Sequence, residues 1–91
     1  MNQAIIFPDE QRWSEELQAI VFPAQVSGLL IECLVKGDAL SRLSGKNIDS
    51  PEQALTCFEE LRFDLEELAE QAIEAEEYDS SGRIQISTHS I

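Results

Sequence analysis

The sequence predicts an α+β fold: a small antiparallel or mixed sheet of about four strands, one long helix (about 51–77) packed on one face, and one short helix (about 38–44). Three observations lead there. A capping box, Ser50-Pro51-Glu52-Gln53, opens a long run of apolar residues at alternating steps of four and three. Upstream of it, two β-favouring runs flank the turn pair Ser27-Gly28. The chain has 91 residues, of which 43% are hydrophobic, so one domain is expected, and a helix covering one face of a sheet is its usual solution.

The elements follow in order. Ala4-Ile5-Ile6-Phe7 reads as a first strand stopped by Pro8-Asp9, and residues 9–16 as a connecting segment pinned by Trp13. Leu17 to Phe22 and Leu29 to Val35 form a β-hairpin closed at Ser27-Gly28, because glycine accepts the positive φ that tight turns need. Pro23 cannot donate to a ladder and is expected near the turn or on an edge. By the period of two, Leu29, Ile31, Cys33 and Val35 face the core, while Leu30, Glu32 and Leu34 share a half-covered face.

Gly37-Asp38 offers a cap for the short helix, with Ala39, Leu40 and Leu43 as its buried stripe and Gly45 as its left-handed terminator. In the long helix Ala54, Phe58, Leu61, Leu65, Leu68, Ala72 and Ala75 draw one stripe, widened by Leu55, Ala69 and Ile73. A turn at Tyr78-Asp79-Ser80-Ser81-Gly82 precedes a last alternating strand, Arg83 to Ser87. The ordered part is expected over about 3–87, with a frayed tail at 88–91.

With this pattern in place, the chain resembles a small proteobacterial family, domain of unknown function fourteen-eighty-eight. The resemblance spans about residues 3–87 and rests on Phe7, Phe22, Gly28, Cys33, Ala39, Leu40, Phe58, Arg62, Leu65 and Ala69. Most of these are packing positions. It implies a short cytoplasmic α+β protein and brings no catalytic residue with it.

Charge narrows the function. Eighteen acids face six bases, a net charge of −12, and residues 51–91 carry eleven of the acids against two bases. A field of that sign repels nucleic-acid phosphates and anionic lipid, so neither is expected as a partner. No run approaches the ~20 apolar residues of a membrane span, the start lacks signal-peptide character, and two cysteines make no disulfide framework, so a cytoplasmic location is expected.

Catalytic patterns fail one by one. The single His89 falls in the tail, and Gly37…Gly45-Lys46-Asn47 lacks both the first glycine and the hydroxyl of a phosphate loop. The helical glutamates have no histidine beside them for a metal, and no cofactor is implied. Cys33 and Cys57 read as small buried hydrophobes, with a redox pair as the sharper alternative. Arg62 reads as the ion-pair partner of Glu59 and Glu66, and Phe63 lies opposite the apolar stripe.

The expected function is therefore that of a non-enzymatic protein-interaction or homo-oligomeric module. Its candidate partner surface is Trp13, Phe63, Glu66, Glu70, Glu74 and Glu77. One alternative is an acidic nucleic-acid mimic or inhibitor that binds a basic protein; a second is a thiol redox protein using Cys33 and Cys57.

Overall fold

The protein is described over residues 5–86 by a computed structural model. The expected tail with His89, and the outer ends of the first and last strands, lie outside that range. The elements are β1 (Ile5–Ile6), β2 (Arg12–Ser14), β3 (Ala19–Val26), β4 (Leu29–Lys36), α1 (Gly37–Ser44), α2 (Pro51–Glu60), α3 (Arg62–Glu74) and β5 (Ile84–Ile86). The α+β expectation holds, with a mixed five-stranded sheet.

The hairpin is its centre. Ser27 and Gly28 have φ of 53° and 83°, and this left-handed pair suits the strand twist, so β3 and β4 stay antiparallel over their full length. β1 and β2 both pair antiparallel with the far side of β3, β1 at Gln25–Val26 and β2 at Ala19–Val21. β5 joins β4 in parallel.

Pro23 lies in mid-strand rather than at a turn, opposite Glu32. A two-residue turn makes Val26–Leu29 a hydrogen-bonded pair, and the antiparallel alternation then leaves Pro23–Glu32 a non-bonded one. The proline nitrogen points away from β4, into the gap between β1 and β2. No ladder bond is lost.

Ile20, Phe22, Ala24, Cys33, Val35, Ile84 and Ile86 build the core with the helices. On the other face Ala19, Val21 and Leu34 are buried with Leu17 against them. Glu32 stands on that face between Arg12 (3.4 Å) and Arg83 (3.1 Å), which gives a charged residue among leucines its water and its counter-ions. Leu29 keeps its expected direction but is 71% exposed, because the hairpin tip runs past the helical layer. β2 was expected as a connection; Trp13 alone of its three residues turns inward, too short a pattern to signal a strand.

The capping box forms: Ser50 Oγ accepts from the Gln53 N–H at 3.2 Å, and Gln53 Oε1 accepts from the Asp49 N–H. α1 starts at once from β4 with Lys36 in the cap position; its Gly37 N–H goes to the Gln18 carbonyl at 3.0 Å, so Asp38 is not the cap. The helix expected over 51–77 is divided at Leu61 (φ −104°, ψ 12°) and ends at Glu74. α2 packs over β2 and β3, and α3 over β5. A straight rod cannot follow both on a twisted sheet. The break falls beside Arg62, which the β1–β2 segment holds from outside.

The stripe shifts with the break. Leu65, Ala69 and Ile73 are the buried line of α3, while Leu68 and Ala72 flank it and Ala75 is exposed. Leu65, Ala69 and Ile73 follow one i, i+4 ridge, which slants across the helix axis, so the buried line of α3 runs obliquely over the sheet. The end of α3 is a Schellman turn: Glu77 N–H to Ala72 O at 2.9 Å and Glu76 N–H to Ile73 O at 3.0 Å, with Glu76 itself at φ 57°.

Candidate functional site

Among the described residues, the large apolar side chains left most open to solvent are Ile6 (58%), Leu29 (71%), Leu30 (67%) and Phe63 (83%). The register gathers the first three at one end of the sheet. Ile6, Gln25 and Leu30 form one cross-strand row on the outer face, and Ile5, Val26 and Leu29 form the next on the inner face. Phe63 reaches the same end from α3. It shares with Ile5 and Phe7 a shallow groove of about 480 Å³, whose remaining wall is Asp64, Glu66, Glu67 and Glu70.

Helical geometry explains the wall. Phe63, Glu66, Glu70 and Glu74 recur at steps of three or four and so lie along one face of α3. Phe63 cannot be buried without turning Leu65 and Ala69 out of the core. Glu66 is not free: its carboxylate lies 2.9 Å from Arg62 Nε, and both side chains are less than one-fifth exposed. Arg62 also reaches Asp9 at 3.0 Å, the Gln11 side chain and the Pro8 carbonyl, and its guanidinium lies 5.7 Å from the Phe58 ring centre. The expected pairing with Glu59 is present but long, 3.8 Å. Asp64, Glu67 and Glu70 have no ion-pair or side-chain hydrogen-bond partner among the described residues.

The other candidate residues lie elsewhere. Trp13 is half-buried, donates from its indole N–H to Glu15 at 3.0 Å, and lines a separate concavity of about 960 Å³. That hollow mixes Lys36 and Arg42 with Glu15, Asp38 and Asp49, a lining with no single charge preference. Glu74 closes the α3 row, whereas Glu77 lies past the end of α3, where its N–H donates the outer bond of the Schellman turn. Ile5, Phe7, Asp64 and Glu67 were missed by sequence reasoning. The neighbourhood of β1 and α3 is a contact over more than fifty residues, for which local patterning carries no signal.

The cysteines are both free and buried, Cys33 at 0% and Cys57 at 4% exposure. Burial pushes the Cys33 thiol up to about 12, which leaves almost no thiolate at neutral pH. Among the described residues no three His, Cys, Asp or Glu side chains gather as a metal site, and no helix is long and apolar enough to cross a membrane.

These features define a small α+β protein with an acid-walled groove at one sheet edge. A family model described as a protein of unknown function, DUF1488, matches residues 5–86, and the chain belongs to that family. It is similar to the uncharacterized protein YrdB of Escherichia coli (strain K12), 43% identical over 83 residues that cover 90% of this chain and 94% of YrdB. The YrdB of Shigella flexneri is 42% identical over the same shares. A crystal structure of a DUF1488 family protein from Shewanella loihica PV-4 superposes with a TM-score of 0.91 at 45% identity, covering 94% of both chains.

Proposed function

We propose that this protein is a non-enzymatic interaction module that holds another protein chain at the β1 end of its sheet. The observation that carries the reading is that two strands, β1 and β4, bring Ile6, Leu29 and Leu30 to one end of the sheet, which α3 reaches with Phe63. Single exposed apolar residues are ordinary, but a gathered patch is what interfaces are made of. The high Cys33 pKa supports this reading over a thiol redox protein, because an unactivated thiol makes a poor nucleophile.

Photo-crosslinking tests it. A benzoylphenylalanine at Leu30 or at Phe63 should give a covalent adduct of defined mass in living cells, and one at Glu52, exposed at the far end of α2, should not. Twice the mass of the chain identifies a second copy; any other mass identifies a different protein. Equal labelling at all three positions, or at none, overturns the reading.

A further inference from the structure

The groove beside Phe63 states what kind of chain it accepts. Most of its surface is polar, with Ile5 and Phe7 giving a small apolar part, and its mouth carries an aromatic ring that is 83% exposed. Its wall carries Asp64, Glu67 and Glu70, unpaired among the described residues, while the nearest base, Arg62, is already held by Glu66 and Asp9. Among the described residues, no lysine or arginine lines it. About 480 Å³ lies within the range of small binding clefts, roughly 300–1,000 Å³.

From this geometry we infer that the groove binds a basic segment of a different protein, one large apolar side chain seated on Ile5 and Phe7 between flanking lysines or arginines. The inference rests on the interaction reading above and adds the chemistry of the occupant. Charge complementarity carries it. Three carboxylates without a counter-ion among the described residues reward a cation and penalise an anion, and the exposed face of Phe63 offers a cation a second attraction. A second copy of this chain is the poorer occupant, because two molecules of net charge −12 repel before they touch.

The test uses a random dodecapeptide library displayed on phage, with the whole protein as bait. Selection on wild type should enrich peptides with two or more Lys or Arg around one large apolar residue. Enrichment should vanish on Phe63→Ser and on the triple variant Asp64→Asn, Glu67→Gln, Glu70→Gln. All four substitutions sit on exposed or half-buried positions, and thermal melts confirm that the variants fold. A selected peptide, followed by fluorescence anisotropy, should lose about tenfold in affinity on the triple variant and at least as much between low and moderate salt. Enrichment of acidic or uncharged peptides, enrichment that survives either variant, or no enrichment at all overturns the basic-segment inference. The crosslinking result at Phe63 is read independently, so a captured chain without basic enrichment leaves the interaction reading standing and removes only its chemistry.

Discussion

Glu76 occupies a backbone position that favours glycine. At φ 57° it sits in the left-handed region at the end of α3, where a Cβ costs about 1–2 kcal/mol. The Schellman bonds hold it there, and its side chain has no hydrogen-bond or ion-pair partner among the described residues. Glu76→Gly should therefore stabilise the protein by about 0.5–1 kcal/mol after glycine's extra chain entropy is subtracted, read as a rise in urea midpoint. Asp79 is the opposite case, an acid with native work to do. Its Oδ1 accepts from the backbone N–H groups of Arg83 (2.9 Å) and Ser81 (2.8 Å), and chiefly the Arg83 bond holds its carboxyl below the usual 3.8. A depressed native pKa adds stability that is complete above the unfolded value and is lost as pH falls through the native one. The difference between wild type and Asp79→Ala should stay constant above pH 3.8 and shrink below it, as acid titration followed by denaturant melts will show.

At the scale of elements, Leu65 is the keystone of α3, fully buried at the head of the line that Ala69 and Ile73 continue. Leu65→Ala should cost about 2–5 kcal/mol in a urea melt, and Leu65→Pro should abolish cooperative folding. The strong elements were legible because their signals are local: the capping box at Ser50, the Ser27-Gly28 turn, the left-handed Gly45 and the 84–86 alternation all act within a few residues. The break at Leu61 was not, since no proline or glycine marks it and its cause is the route of the sheet beneath. β2 escaped for the same reason: its strand character is lent by β3. Of the candidate site, Phe63, Glu66, Glu70 and Glu74 were legible as one helical face. Their company with Ile5 and Phe7 was not, because only the folded chain brings β1 to α3.

Across the whole molecule, charge is separated by layer. The outer sheet face carries Arg12, Lys36 and Arg83 against Glu32, while α2 and α3 carry the carboxylates and a single base, Arg62. The acids at the end of α3 crowd a helix terminus that already favours cations. Glu74, Glu76 and Glu77 have no ion-pair partner among the described residues, so their mutual repulsion is uncompensated. The variant Glu74→Gln, Glu76→Gln, Glu77→Gln should melt at or above the wild-type temperature in low salt, and added salt should close the gap by screening. A clear fall in melting temperature would show native contacts at these carboxylates.

The parallel pairing of β5 has a consequence for synthesis. β2, β3 and β4 are linked by short turns and can meet as soon as they leave the ribosome, but Ile84 finds Cys33 roughly fifty residues later, across three helices. Until then the nascent sheet offers a bare strand edge along β4, and until the helices emerge an uncovered apolar face at Ile20, Phe22 and Val35 as well. A chain truncated before Ile84 has its helices but keeps the bare edge, and it should aggregate by adding strands from its own kind to the edge that β5 otherwise seals.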